Sequence, residues 1–134
     1  MSHFTQVKTK IRNVEMLKQA LKSLGIAYTE ATQGTTLSIK GWEQETAQAS
    51  LSIETGCSYP IGVTVNAEGE VDFVADWWAI ETWTERKQSD ILAEFTRQYA
   101  YETVMDKVRS SGYDLVSEEC DSEERLRVVV RKWS

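Results

Sequence analysis

Apolar and polar residues alternate along much of this chain, which is the pattern of a strand with one buried face. The alternation predicts strands at residues 4–11, 26–30, 35–42, 47–53, 61–65 and 71–75, and a terminal hairpin at 113–116 and 125–133. A turn sequence at 66–69 joins two of these segments, as in a β-hairpin. Short connections of this kind favour antiparallel pairing.

Two other segments carry apolar residues at helical spacing. In the first, Asn13 is placed to cap a helix and Gly25 is placed to end it in the left-handed conformation. Its apolar residues fall on one side of the helix: Val14, Leu17, Leu21 and Leu24. The second helix is predicted to begin at Ser89 or Asp90 and to end at Gly112. Its apolar residues cover a wider arc, which predicts deeper burial.

These elements predict a single α+β domain over residues 1–134. Hairpin-linked strands form a mostly antiparallel sheet, and two amphipathic helices must bury their apolar sides against it. We therefore expect a two-layer fold of about seven strands with two helices packed on the sheet. A chain of 134 residues can bury enough surface to fold without a disulfide or a metal ion.

The net charge of −6 disfavours nucleic acid as the main partner, because phosphate binding needs a dominant positive field. The longest apolar runs are too short to span a bilayer. The chain also starts without the basic and apolar pattern of a signal peptide. Cys57 and Cys120 stand far apart in the sequence, which favours two reduced thiols. We expect a cytosolic protein, or one made and kept inside an organelle.

The sequence gives no pattern that points to catalysis. It has no glycine-rich phosphate loop, and His3 is its only histidine, which argues against a zinc site and a histidine-based triad. We therefore predict that the protein is not an enzyme and uses no cofactor and no metal.

Three carboxylates, Glu70, Asp72 and Asp76, are predicted to share one strand face. Neighbouring carboxylates can hold a hard cation or act as acid and base. For Glu70 and Asp72 we favour a solvent-exposed strand face, because carboxylates are mostly exposed in proteins. Asp76 ends the strand beside Trp77, and there it is a candidate to cap or orient the segment that follows.

Aromatic residues are the candidates for a contact surface. Trp77, Trp78 and Trp83 lie in segment 77–87. Its apolar residues follow neither the alternation of a strand nor the spacing of a helix, so we predict an ordered loop or a short irregular helix. Tryptophan is common both in cores and at interface hot spots, so we expect one in the core and one at a surface. Tyr99 and Tyr101 lie about 200° apart on a helix. We expect Tyr99 to pack in the core and Tyr101 to be free for a partner or for a second packed element.

Basic residues crowd the first and last predicted strands at Lys8, Lys10, Arg125, Arg127 and Arg131. If those two strands were neighbours, the side chains would form one stripe that could bind an anion or RNA. The alternative is that charges on edge strands prevent sheets from aggregating. With a net charge of −6 we favour this alternative.

Short motifs along nearly the whole chain resemble those of one family, the hypothetical chloroplast reading frame 35 family of algal plastids and cyanobacteria. They are Met1-Ser2-His3-Phe4-Thr5-Gln6 with Lys8, Ile11-Arg12-Asn13, Tyr59 with Ile61-Gly62, Val74-Ala75-Asp76, Tyr99-Ala100-Tyr101 and Arg127-Val128-Val129-Val130-Arg131-Lys132-Trp133. The resemblance implies a photosynthetic organism and the cytoplasm or the plastid stroma. It implies no activity and no catalytic residues. Related bacterial reading frames accompany AAA-type ATPases, which implies an adaptor role.

We therefore expect a non-enzymatic accessory, assembly or adaptor protein that contacts another protein through Trp77, Trp78, Trp83 and Tyr101. An AAA-type ATPase or a photosynthetic complex is the expected kind of partner. Two alternatives stay open. The same aromatic residues could line a cleft for a small molecule or pigment, or the basic terminal strands could bind RNA.

Overall fold

The computed structural model describes residues 4–110 and the backbone of two further strands, Tyr113–Cys120 and Leu126–Lys132. In chain order the elements are β1 (Thr5–Lys8), α1 (Val14–Ser23), β2 (Tyr28–Glu30), β3 (Leu37–Lys40), β4 (Thr46–Ala49), β5 (Leu51–Ile53), β6 (Ile61–Val65), β7 (Val71–Ala75), α2 (Trp77–Thr84), α3 (Gln88–Ser110), β8 (Tyr113–Cys120) and β9 (Leu126–Lys132). A short 3-10 helix, Trp42–Gln44, lies between β3 and β4. The α+β class is confirmed.

The main sheet has five antiparallel strands in the order β1-β7-β6-β5-β2. Its register places Val63 of β6 opposite Leu51 on one side and Phe73 on the other. All three side chains are buried, and side chains directly opposite one another lie on the same face of a sheet. This apolar face of the sheet forms one side of the hydrophobic core.

Helix α1 forms where the sequence predicts it and lies on this apolar face. The side-chain amide oxygen Oδ1 of Asn13 accepts the backbone N–H of Met16 at 3.2 Å, which satisfies one of the free donors at the helix start. Gly25 follows the helix with a φ of +74°, the left-handed conformation that favours glycine. Leu17 and Leu21 are fully buried against the sheet. Both predicted helix boundaries are confirmed.

A surface ion pair joins α1 to β2. The ammonium of Lys18 lies 2.9 Å from Glu15 Oε1 and 2.9 Å from Glu30 Oε1. Hydrogen bonds to Glu15 and then to Glu30 raise the pKa of Lys18 above its ordinary value.

Helices α2 and α3 cover the same face of the sheet. Trp77 and Ile80 of α2 and Phe95 of α3 join the cluster of buried residues around Phe73. The Phe73 and Phe95 ring centroids are 5.9 Å apart, within the range of favourable aromatic pairs. The described part of the chain therefore has three α-helices, where the sequence pattern predicts two.

The strands β3 and β4 form a separate two-stranded sheet that covers part of the opposite face. Gly62 of β6 allows this close contact. A Cβ atom at Gly62 would lie 2.6 Å from Cδ1 of Ile39 and 2.9 Å from Cβ of Ala49, which is closer than side-chain atoms approach in proteins. The small sheet therefore packs directly on the backbone of the main sheet.

The single strand predicted at 47–53 is wrong, because the chain changes sheets at Ser50. Residues before it form β4 in the small sheet, and residues after it form β5 in the main sheet. Both the N–H and the hydroxyl of Ser50 donate to the carbonyl of Val63, at 2.8 and 2.9 Å. The alternation of apolar residues continues through this point, so the pattern alone does not reveal the break.

The predicted terminal hairpin is present as β8 and β9, which pair with each other in their own sheet. Its first strand extends further than predicted, from Tyr113 to Cys120. Among the described residues, no helix is both long enough and apolar enough to cross a membrane.

Candidate functional site

Asp76 organises the surface that we identify as the candidate site. It lies between β7 and α2 and is fully buried. Its Oδ1 accepts the N–H of Ala79 at 3.2 Å, which makes Asp76 the N-cap of α2. Its Oδ2 accepts the N–H of Trp42 at 2.9 Å. One carboxylate thus fixes both the start of α2 and the turn after β3.

Helix α2 replaces the ordered loop or irregular helix predicted from Trp77 onwards, and it spans Trp77–Thr84. Its threonines stabilise it locally, since the hydroxyls of Thr82 and Thr84 donate to backbone carbonyls four residues earlier. It ends at Glu85, whose φ of 59° is left-handed. The sequence signal for this helix is the capping position of Asp76, because the residues after it show no apolar stripe.

The three tryptophans of this segment have different environments. Trp77 is in the core with 4% of its surface exposed, whereas Trp78 is 47% exposed and Trp83 is 61% exposed. The assignment of Trp77 to a contact surface is therefore wrong, because the first turn of α2 directs this side chain onto the sheet. Trp78 and Trp83 remain available to a partner.

Two aromatic residues that the sequence analysis did not assign to the site join Trp78. The Trp42 ring lies 5.8 Å from that of Trp78, at an interplanar angle of 73°. It also lies 6.5 Å from the ring of Tyr59, at 51°. We call Trp42, Tyr59 and Trp78 the aromatic patch. No local sequence pattern links these residues, since they come from three separate segments.

A glycine allows the Trp42 turn to lie against the rest of the site. Gly41 is buried, and a Cβ atom there would lie 2.8 Å from Cε2 of Phe4 and 3.3 Å from Asp76 Oδ2. A side chain at this position would push the turn away from the Asp76 carboxylate. The patch therefore depends on a residue that is not part of it.

The two tyrosines of α3 occupy different positions. Tyr99 packs against the core cluster, and its hydroxyl accepts the N–H of Arg12 at 3.4 Å. Tyr101 is half-buried on α3. Tyr99 is thus a partly buried tyrosine that packs against the core, and its hydroxyl meets a polar neighbour, as the sequence predicts.

The predicted exposure of the β7 carboxylates is wrong for Asp72. Its side chain is 3% exposed, because β1 pairs along β7 and brings Gln6 over it. Gln6 Nε2 donates to Asp72 Oδ2 at 2.7 Å, whereas Oδ1 has no partner among the described residues. Glu70 is half-buried, with its Oε2 3.7 Å from Arg12 Nη2.

The predicted basic stripe needs the first and last strands to be neighbours, and in the described strands they are not. β1 pairs with β7, whereas β9 pairs with β8 in a separate sheet. Lys8 and Lys10 are exposed at the β1 edge of the main sheet. Arg127 and Arg131 lie on β9, and Arg125 lies outside the described residues.

The described residues also bear on metal binding. Within 4–110, no three side chains of the types that ligate metals are grouped so that they could hold an ion. The candidate site itself consists of aromatic side chains, backbone groups and nearby carboxylates.

Comparison with known proteins identifies a family. The protein-family model described as "Protein of unknown function (DUF1257)" matches residues 20–129, which include the aromatic patch and Asp76. The chain belongs to this family. "Uncharacterized protein ycf35" of Cyanophora paradoxa is 31% identical over 134 residues, which cover 99% of this chain and 98% of the relative.

Two further relatives of this family carry the same printed name. The protein from Guillardia theta is 26% identical over 139 residues, covering 99% of this chain and 98% of the relative. The protein from Pyropia yezoensis is 24% identical over 135 residues, covering 100% of this chain and 99% of the relative. The predicted resemblance to the chloroplast reading frame 35 family is confirmed over the full chain. No solved structure matches the chain.

Proposed function

We propose that this protein is a non-enzymatic accessory or adaptor protein that binds another protein through the aromatic patch. The observation that carries the proposal is the exposure of Trp78 on an ordered helix, 47% of its surface. A tryptophan buries roughly 150–250 Å² at an interface, so covering the exposed half removes roughly 100 Å² from water. At about 25 cal/mol per Å², this contact stabilises a complex by about 2.5 kcal/mol.

The patch is held in place before any partner binds. Asp76 fixes the backbone at Trp42 and the first turn of α2, and the Trp42 ring supports that of Trp78. Little conformational entropy is then lost on association, which favours a buried hot spot. This order distinguishes the patch from a tryptophan exposed on a mobile loop.

The charge near the patch indicates the kind of partner surface. Glu43 follows Trp42 in the chain, and Glu81 lies one turn along α2 from Trp78, and both are exposed. Complementary charge steers association and selects partners. We therefore propose a partner surface with an apolar pocket bordered by basic residues. The candidates remain an AAA-type ATPase or a photosynthetic complex, in cyanobacterial cytoplasm or plastid stroma.

The test is a Trp78→Ala variant compared with Val65→Ala, which removes an exposed apolar side chain elsewhere, 45% exposed in the native chain. A tagged protein recovers partners from a photosynthetic lysate, and the recovered partner is then purified and titrated calorimetrically. We expect Trp78→Ala to weaken binding by about 50-fold or more, as the estimate of about 2.5 kcal/mol implies. Both variants should keep the native melting temperature within a few degrees.

Equal binding by the native protein and by Trp78→Ala would refute the aromatic patch as the contact surface. A separate Trp83→Ala variant shows whether the contact surface includes Trp83 or lies at Trp83 instead of at the aromatic patch. Trp83 is on the same helix and is 61% exposed, so loss of binding in this variant alone would move the contact along α2.

A small-molecule site is the second candidate, supported by a cleft of about 330 Å³ between the sheet and α3. Ile61, Ile91 and Phe95 form its apolar wall, and Glu54 and Arg86 are at its polar side. The cleft is therefore lined by these residues, not by the tryptophans that the sequence suggests. A compound or pigment that binds there should raise the melting temperature, and Arg86→Ala, which changes the exposed side of the cleft, should remove that rise.

A further inference from the structure

A groove of about 730 Å³ lies between β1 and α3. The strand side continues past Lys8 to Ile11, whose carbonyl accepts the N–H of Val71 at 2.8 Å. The helix side is one face of α3, with residues spaced three and four apart. These are Leu92, Thr96, Tyr99, Ala100, Thr103 and Val104. Val104 is 40% exposed, so the groove is an open and largely apolar surface.

The strand bordering the groove is at an edge of the main sheet. β1 is the terminal strand of the order β1-β7-β6-β5-β2, and β7 is its one sheet partner in the described part of the chain. In an antiparallel strand, alternate N–H and C=O groups point to opposite sides. Half of the backbone groups of β1 therefore face away from β7, in position to pair with another strand.

The side chains of β1 divide by face in a way that specifies an incoming strand. Val7 lies opposite Phe73 on the core face, and Ile11 is buried, so the odd-numbered positions face the helices. Lys8 and Lys10 are exposed, and Lys8 lies opposite Asp72 of β7, so by alternation the lysines lie on the other face, together with Glu70 and Asp72. A strand added beside β1 would place every second side chain against α3 and the others beside the lysines.

We propose that this edge binds an extended segment of a partner protein in which apolar and acidic residues alternate. The segment adds a sixth strand beside β1, its apolar side chains fill the groove, and its carboxylates face Lys8 and Lys10. The stretch of α3 from Leu92 to Val104 is about 18 Å long at 1.5 Å per residue. At about 3.3 Å per residue, about six residues of extended chain cover it.

The lysines disfavour a second copy of this chain as the occupant. Two β1 strands paired antiparallel would bring the lysines of one copy beside those of the other, and like charges on neighbouring strands destabilise pairing. The same lysines favour a segment that carries carboxylates. The positive charge of Lys8 and Lys10 thus has two effects. It protects the edge against self-association, and it selects an acidic partner strand.

The test starts from a displayed library of random ten-residue peptides selected on the purified full chain. We expect enriched peptides to alternate apolar and acidic residues over about six positions. The most enriched peptide is then synthesised with a fluorescent label and titrated by anisotropy. Lys8→Glu/Lys10→Glu should bind it at least about tenfold more weakly, since two favourable cross-strand charge pairs become repulsive.

Lys40→Glu is the matched control, because Lys40 is an exposed lysine on β3 in the other sheet. It should bind the peptide with native affinity. Ala100→Trp provides an independent variant that fills the groove from an exposed position on α3, and it should also lose binding. Circular dichroism verifies that each variant folds.

The backbone contribution is tested in the peptide itself. Methylation of the amides that face β1 should abolish binding, whereas methylation of the intervening amides should leave it unchanged, because only alternate amides pair with the edge. Three results would each overturn the proposal. The selected peptides could lack the acidic alternation, the double lysine variant and Ala100→Trp could both bind as the native chain does, or the two methylation patterns could have equal effects. A dimer in sedimentation that Ala100→Trp dissociates would assign the groove to a second copy.

Discussion

Removal of the Asp76 carboxylate should be strongly destabilising for a single side chain of this small fold. Asp76→Ala leaves the N–H groups of Ala79 and Trp42 without their acceptor, at sites where the native oxygens lie 3.2 and 2.9 Å away. Loss of an N-cap costs about 1 kcal/mol. Loss of a hydrogen bond to a charged group costs about 1.5–3 kcal/mol. The expected loss in the free energy of unfolding is therefore about 3 kcal/mol.

Asp76→Asn separates the two contributions. Its amide oxygen can accept one of the two N–H groups, but its amide nitrogen then faces the other as a second donor. We expect it to lose roughly half as much stability as Asp76→Ala. Because Asp76 holds both the Trp42 turn and the helix that carries Trp78, both variants should also weaken partner binding through the aromatic patch.

Urea titration followed by circular dichroism gives the free energy of unfolding of each variant. Asn66→Ala, an exposed turn residue, controls for the loss of a local cap-like contact, since its Oδ1 accepts the N–H groups of Glu68 and Glu70. A loss below about 1 kcal/mol for Asp76→Ala would refute the reasoning, because it would mean that water or another acceptor replaces the buried carboxylate.

Two further predictions follow from the packing and the charges. Gly62→Ala should destabilise the fold by about 1–3 kcal/mol in the same titration, since its Cβ would meet Ile39; an unchanged midpoint would show that the two sheets do not touch there. Hydrogen bonds to Glu15 and Glu30 raise the pKa of Lys18 in the folded state above its unfolded value near 10.4. Their stabilisation is present below that value and is lost as the pH rises through the folded pKa. The difference in stability between the native chain and Lys18→Met should therefore shrink above about pH 10.4, and a constant difference up to pH 12 would contradict it.

Local signals predicted much of the fold correctly. The cap at Asn13 and the left-handed Gly25 bound α1, and the turn between β6 and β7 joins a strict alternation of apolar residues. Each of these signals depends on residues a few positions apart in the chain. Sequence patterns predict structure reliably where the interacting residues are only a few positions apart in the chain.

The errors occur where distant residues decide the structure. Alternation fixes which side of a strand is buried but not the sheet to which it belongs, so the switch at Ser50 was not visible. The burial of Asp72 depends on Gln6, which is 66 positions away in the chain. The helix after Asp76 has no apolar stripe, because it packs by one end and leaves Trp78 exposed.

Several features follow from the sequence alone: the α+β class, the family, the lysines of the first strand and the tryptophans that follow the strand ending at Ala75. The folded structure selects which tryptophan is buried, because successive residues on a helix differ in direction by about 100°. It also assembled the aromatic patch, since Trp42 reaches Trp78 through the second oxygen of Asp76. Sequence patterns record the local preference of each residue, whereas a surface made of three segments exists only after the chain has folded.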